Sequence, residues 1–255
     1  MRSIVYGPVP SWRLGRSLGI DMLSTTEKTC SFDCVYCQLG KTINRQVKRK
    51  EFVSLEELKP ALARVKDISA DYATFSGMGE PTLASNLGQA IELARDILHL
   101  PIAVLTNSSL MPRDDVRQEL ASADIVVAKV DAPNEKLFRQ INRPYGKYTL
   151  DDILQSIRVF RMSYRGKLAL QMMFIKENAG CATEMARRAR LLSPDEIQIN
   201  TPLRPCPVNP LSPEEITTIR QQFTDLSGVV TVYEAEKPET SPMDLEATLQ
   251  RRPKL

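Results

Sequence analysis

Cys30-Ser31-Phe32-Asp33-Cys34-Val35-Tyr36-Cys37 is the stretch on which the reading of this chain turns. Three of its five cysteines fall within these eight residues, in a C-x3-C-x2-C spacing, just after a β-rich segment at Ser17–Met22. Thiols grouped so closely, in a chain that reads as cytosolic, suit metal binding rather than a disulfide framework. Thiolates hold iron–sulfur clusters or zinc. Structural zinc takes four protein ligands, and no fourth Cys or His lies nearby in the sequence. Three thiolates on a four-iron cubane leave one iron without a protein ligand, and an open metal position is where substrate chemistry takes place. Two other readings stay open on spacing alone: unrelated buried thiols, or a non-enzymatic zinc module completed by Cys181 or Cys206.

Working outward, short apolar runs alternate with helical patterns. After Ser17–Met22, strands are predicted at Tyr72–Ser76, Ile102–Thr106, Ile125–Val130, Leu168–Ile175, Glu196–Asn200 and Val229–Tyr233. Several are continuously apolar, as parallel strands covered on both faces are. Between them, Ser54 with Glu57, and Ser212-Pro213 with Glu215, have capping-box spacing, while Pro60 argues for a later start or a kink in the first of these helices. Leu150–Met162 puts Leu150, Ile153, Leu154, Ile157 and Phe160 on one face, and similar patterns cover Asn86–Leu98, Arg113–Ala121 and Ala182–Leu192. Regular alternation predicts an α/β protein with a parallel sheet. A closed eight-unit barrel takes about 250 residues. The loop-rich Ser24–Val53 stretch leaves room for six units, so the expectation is a partial (β/α)6 TIM-type barrel with N- and C-terminal extensions. No composition break divides it: residues 1–255 read as one domain, with the barrel core at about 17–204 and an extension over about 210–255.

Composition narrows the function. The 255 residues carry 34 Lys+Arg against 31 Asp+Glu, a net charge of +3, too small to imply nucleic-acid binding by itself. The one histidine, His99, follows an amphipathic segment and reads as a helix C-terminal residue, which sets aside His-ligated metal centres and His-based triads. No apolar run approaches the ~20 residues needed to span a bilayer. The opening Met1–Pro8 reaches turn residues before a signal-peptide core could form, so the expectation is a cytoplasmic protein with no membrane partner. Two local basic runs stand out, Lys41, Arg45, Lys48, Arg49 and Lys50, and Arg251, Arg252 and Lys254. Each is either solvated surface or a docking patch for an acidic electron donor or a phosphate-bearing substrate.

Gly77-Met78-Gly79-Glu80-Pro81 follows the second predicted strand. Glycines let backbone approach a ligand, and Glu80 could accept from an ammonium group. Asn107 ends the third strand, Lys129 and Asp131 lie near the end of the fourth, Gln171 and Met173 in the fifth, and Asn200 and Thr201 end the sixth. Strand C-termini are where (β/α) barrels place ligand contacts.

The cysteine spacing, with the aromatic Tyr36 before its last Cys, resembles the signature of the radical SAM superfamily. The resemblance implies a 4Fe–4S cluster on Cys30, Cys34 and Cys37, with S-adenosylmethionine (SAM) chelating the fourth iron through its amino and carboxylate groups. One-electron reduction then cleaves the S–C5′ bond, giving methionine and a 5′-deoxyadenosyl radical that abstracts hydrogen from substrate. Gly77–Pro81 resembles the segment that contacts the SAM amino group, which makes Tyr36, Gly77, Gly79, Glu80, Asn107, Asp131, Gln171 and Asn200 the candidate cofactor-binding residues, with Asp131 assigned to the ribose hydroxyls.

Gly7–Gly19, Cys37-Gln38-Leu39-Gly40, Lys129–Ala132 and Ile141-Asn142-Arg143-Pro144 further resemble short radical SAM proteins related to the wyosine-synthesis enzymes of tRNA modification (4-demethylwyosine synthase). That likeness runs from Tyr6 to about Arg204. The tRNA enzyme carries a second cluster on upstream cysteines, and here none precedes Cys30. With no room for a flavodoxin or cobalamin domain, an external one-electron donor such as flavodoxin or ferredoxin is implied. The substrate is left open between a small molecule, a protein and a tRNA. Cys206, in Arg204-Pro205-Cys206-Pro207, is either a hydrogen-atom donor or an inert thiol, and Cys181 a packing residue at a helix start. Arg13, Arg16, Arg143 and Arg204 could each grip a carboxylate or phosphate bidentately, or pair with acids such as Asp21 or Glu80.

Overall fold

Alternating side chains settle the architecture. Along each inner strand one set of residues faces helices and the other faces a concavity, as strand geometry demands. The computed structural model describes residues 3–253, so Met1, Arg2, Lys254 and Leu255 lie outside the described residues. An antiparallel hairpin, β1 (Val5–Ser11) and β2 (Gly15–Ile20), comes first. Two short strands, β3 (Thr29–Cys30) and β4 (Asn44–Arg45), then pair in parallel, and α1 (Leu55–Ala63) follows. From there the chain alternates: β5 (Tyr72–Phe75), α2 (Leu87–Leu98), β6 (Ile102–Thr106), α3 (Asp114–Leu120) and β7 (Ile125–Lys129). After α4 (Glu135–Ile141) and α5 (Leu150–Ser163) come β8 (Lys167–Met173), α6 (Ala182–Leu192) and β9 (Glu196–Asn200). The extension adds α7 (Pro213–Arg220), β10 (Val229–Thr231) and α8 (Leu245–Arg251).

The main sheet has eight strands in the order β1-β2-β5-β6-β7-β8-β9-β10, parallel from β2 onward and curled into a half-barrel. Six of the parallel strands are those expected between residues 17 and 204, and β10 adds a seventh. Outward residues such as Val104, Val126, Leu168, Leu170 and Ile197 join the main core beneath the helices. Inward residues Ala103, Ile125, Val127 and Ala169 pack around Leu14, which the β1–β2 hairpin inserts at the base of the concavity. Above that apolar layer the inward positions become Leu105, Lys129, Gln171, Met173 and Asn200.

Four elements depart from the sequence expectations. Gly7 and Pro8, read as turn residues, lie in β1 together with Pro10; as the edge strand, β1 tolerates prolines that lack a ladder donor. Helix α1 starts at its capping box and continues through Pro60, because losing one backbone donor costs less than exposing Leu58 and Leu62, both fully buried. The seven-residue helices α4 and α8 were not predicted, though Asn134 and Asp244 cap them. His99 does end α2, in the left-handed conformation.

The basic run at Lys41–Lys50 loses a member to structure. The Arg49 side chain is buried, donating to the carbonyls of Thr82 and Ala84 and pairing with Asp115 and Glu119. Arg113 and Arg49 together hold the Asp115 carboxyl below its ordinary value. A depressed folded pKa gives stability that is present above the unfolded value and lost as pH falls through the folded one. Asp115→Asn should therefore flatten the acid limb of a stability–pH curve. Because this carboxylate is half-exposed, the cost at neutral pH should stay below about 1 kcal/mol in denaturant titrations.

Candidate active site

The C-terminal ends of the strands open on a cavity of about 430 Å³. Over one side lies the loop carrying the three cysteines, pinned by backbone hydrogen bonds to the Ile141–Pro144 segment. Asp33 N donates to Asn142 O at 3.0 Å and Val35 N to Ile141 O at 2.9 Å, while Tyr145 N reaches back to Ser31 O at 3.0 Å. Within the loop, the Asp33 carboxylate accepts from Thr42 N at 2.7 Å, and Cys37 N donates to Cys34 O at 3.1 Å.

All three cysteines line the cavity, as do Tyr36, Gly77, Gly79, Glu80, Asn107, Gln171 and Asn200. Asp131 does not, and its proposed contact with the ribose gives way to another role. It is buried behind the wall, where one carboxylate oxygen accepts from Tyr36 Oη and, at 2.7 Å, from Asn142 Nδ2, and the other from Met173 N at 2.9 Å. Asp131 thus anchors Tyr36 and the cysteine loop to the ends of β7 and β8. Cys206 also lies off the cavity wall, its Sγ donating to Val208 O at 3.1 Å, and partly buried Cys181 stands at the start of α6 without a side-chain capping hydrogen bond.

The Gly77–Pro81 turn is shaped by close approach to protein as much as to any ligand. A Cβ on Gly79 would lie 1.6 Å from Thr29 O, and one on Gly77 would lie 2.2 Å from the Asp21 carboxylate carbon. The turn is thereby locked to the strand entering the cysteine loop, with Thr29 N donating to Met78 O at 2.9 Å. Gly79→Ala should cost at least the upper end of the about 1–3 kcal/mol typical of overpacking, read as a fall in the midpoint of chemical unfolding.

Glu80 is buried yet fully directed. Its Oε1 accepts from Thr82 N, Thr82 Oγ1 and Thr106 Oγ1 at 2.7–3.1 Å, and its Oε2 from Asn107 N at 2.6 Å. Burial raises its pKa and these donors pull it back, with burial prevailing. A carboxylate held by such donors, with Oε2 open to a further partner, suits an ammonium group.

The thiols sit in a setting suited to anionic sulfur. Asn107 Nδ2 lies 3.4 Å from Cys30 Sγ, and Asn142 Nδ2 lies 3.5 Å from Cys34 Sγ. The Lys28 ammonium is buried, donating to Gly40 O at 3.0 Å; burial opposes its charge, but the three cysteines outweigh that and raise its pKa. Lys129 stands over the Tyr36 ring, 4.9 Å from its centroid, and is likewise raised, Asp131 and the cysteines outweighing burial. Burial, then the charge of Glu80, pushes the Cys30 thiol up to about 12. Binding a soft cation displaces such thiol protons. Three sulfurs, amide donors to two of them and two buried ammonium groups fit a sulfur-ligated cluster of net negative charge. Sequence reasoning missed Lys28 and the part played by Asn142; the only trace was Asn142 within the quoted Ile141–Pro144 motif.

Part of the cavity wall is basic. Arg13, Arg204 and Arg252 line it together with Lys237. Arg204 Nη1 donates to Gln38 Oε1 at 3.0 Å, and burial followed by repulsion from Arg252 lowers its pKa to about 10. Arg13 is lowered to about 9, by burial first and then by Arg252 and Arg204. Arg16 is instead paired with Asp71 at 2.7 Å, at the other end of the strands.

A profile of the Radical SAM superfamily matches residues 26–189, well over half of the chain. A "UPF0026 protein" of Methanocaldococcus jannaschii is 41% identical over 236 residues, covering 89% of this chain and 73% of that one. At 25% identity over 169 residues the chain also matches a "Probable GTP 3',8-cyclase" of Sulfurisphaera tokodaii, covering 65% of this chain and 50% of that one. Among solved structures, TYW1 with a lysine-pyruvate adduct bound superposes with a TM-score of 0.66 at 16% identity, over 83% of this chain and 74% of that one. SuiB of Streptococcus suis bound to S-adenosylmethionine gives 0.63 at 14%, over 81% and 48%. The two structures share the fold: a curled half-barrel. With its cysteine loop at the mouth of that half-barrel and the profile match spanning it, the chain belongs to the radical SAM superfamily.

Proposed function

We propose that this chain is an enzyme that uses one 4Fe–4S cluster, on Cys30, Cys34 and Cys37, to cleave SAM reductively and abstract hydrogen from a substrate in the same cavity. One observation carries the reading: three cavity-lining cysteines share a wall with a buried carboxylate, Glu80, aimed by Thr82, Thr106 and Asn107. When bound, the reduced cluster supplies the electron that breaks the S–C5′ bond, yielding methionine and the 5′-deoxyadenosyl radical.

The chain's own residues do the rest. Glu80 receives the SAM ammonium, and Gly77 and Gly79 let the backbone beside it reach the ligand. Tyr36, Gln171 and Asn200 offer polar groups around the remainder of the nucleoside. Lys28 and Lys129 offset the negative charge of ligated sulfur. Leu105 and Met173 exclude water from the space where a radical must meet a C–H bond at short range.

An external donor such as flavodoxin or ferredoxin supplies the electron. Lys41, Arg45, Lys48 and Lys50 remain exposed beside the cysteine loop and form the docking face for such an acidic partner. The substrate's identity beyond its entry through this cavity is a separate question.

The test is anaerobic reconstitution with iron and sulfide, followed by dithionite and SAM. Formation of 5′-deoxyadenosine is the expected result. A fully loaded protein that binds SAM and forms none overturns the reading, as does a colourless protein holding one zinc.

A further inference from the structure

The cavity has more positive charge than its cofactors need. Among the described residues lining it, Glu80 is the one acid. Lys28 and Lys129 stand beside the thiols, and Arg251 is paired with Asp21. That leaves Arg13, Arg204, Lys237 and Arg252 converging from four separate segments with no acid on the wall to answer them. Nε and Nη1 of Arg13 are buried and hydrogen-bond nothing. The acid whose charge Arg13 feels, Glu196, is occupied elsewhere: it accepts from Lys167 Nζ at 2.6 Å and from Gln198 Nε2 at 2.7 Å.

A guanidinium held among other cations, with two of its donors unpaired, is costly to maintain unless an anion offsets its charge. Its planar fork matches the two oxygens of a carboxylate or a phosphate. The hairpin that presents Arg13 also inserts Leu14 among Ala103, Ile125 and Ala169 at the base of the concavity. Arg13 therefore enters from the N-terminal side of the strands, whereas Glu80 and the cysteine loop enter from the C-terminal side. Arg204, which follows β9, hydrogen-bonds Gln38 beside Cys37, so the arginines run from the base of the cavity to the edge of the cysteine loop.

We propose that Arg13, Arg204 and Arg252 form a receptor for an oxyanion of the substrate, a carboxylate or a phosphate group, separate from the SAM site. The substrate is thus an anionic compound, held by its charged end against the arginine wall with its reacting carbon toward the cysteine loop. That the ligand is a substrate rests on the radical SAM reading; that an oxyanion binds does not, since the arginines need no cluster.

The full chain, without cluster, is titrated calorimetrically with inorganic phosphate and separately with malonate, ionic strength being held constant with chloride. Saturable binding of one of them is expected, and which one saturates tells phosphate from carboxylate. Arg13→Gln and Arg204→Gln, from different segments, should each weaken it about thirtyfold or more, and Arg13→Lys less. A thermal melt shows which variants fold, and Arg204→Gln carries the test if Arg13→Gln does not. Failure of both anions to saturate overturns the proposal, as does wild-type affinity in the folded glutamine variants. So does a matching loss of SAM affinity in reconstituted Arg13→Gln, which would give the guanidinium to the SAM carboxylate. Because the titration uses protein without cluster, its failure is distinct from a failure to form 5′-deoxyadenosine.

Discussion

Cys34→Ala, reconstituted anaerobically, should lose the brown absorption of the wild type and form 5′-deoxyadenosine only at background. Two thiolates do not hold the cubane in the orientation that leaves one iron open, and the chain offers no substitute: Cys206 lies off the cavity wall and Cys181 at the start of α6. Asn142→Ala keeps all three sulfurs but removes an amide donor from Cys34 and from Asp131. Loss of such an outer partner should lower metal affinity by about 10–100-fold. Iron and sulfide content with an electronic spectrum, measured beside turnover, separates the two variants. Full cluster content and turnover in Cys34→Ala would remove the thiolate trio from the mechanism.

The second large effect comes from the far end of the chain. Arg251 and Asp21 are each about 1% exposed and form a 2.8 Å ion pair. Arg251 also donates to Ser3 O and Ala247 O. The same carboxylate accepts from Met78 N, so the C-terminal helix α8 is tied to the turn that carries Gly77, Gly79 and Glu80. Arg251→Ala leaves a buried charge without its counterion, and breaking such a pair costs about 3–5 kcal/mol. For a domain of this size that corresponds to a fall in Tm of about 6–20 °C by calorimetry. Arg251→Met combined with Asp21→Asn should cost less than the sum of the single changes, because the second removes the charge stranded by the first. A loss below about 1 kcal/mol in Arg251→Ala would show that the pair acts as an exposed one does.

The candidate site was legible to different depths. Cys30, Cys34 and Cys37 could be found because ligands drawn from one short loop leave their spacing in the sequence. Glu80 could be placed because it follows a recognisable strand and sits among glycines. Lys28 carried no mark: a lysine acquires meaning only when its ammonium is buried beside sulfur. Asp131 shows the opposite error. A carboxylate at a strand end reads as a ligand contact, and only the positions of Tyr36, Asn142 and the Met173 amide reveal that its oxygens are engaged within the protein. Among the basic residues the same ambiguity resolved three ways. Arg16 pairs with Asp71, Arg49 braces the Thr82 and Ala84 carbonyls, and Arg13 keeps buried donors unengaged.

Local order alone was enough to establish the α/β alternation, the six parallel strands of the barrel core and the thiol trio, since periodicity, caps and ligand spacing act over a few residues. Folding in three dimensions was needed to choose the partners of charged groups, the pairing of a proline-bearing edge strand and the reach of α8 to Asp21. Those outcomes depend on contacts between segments as many as 248 positions apart, and burial, not residue type, sets the free energy of a charge there.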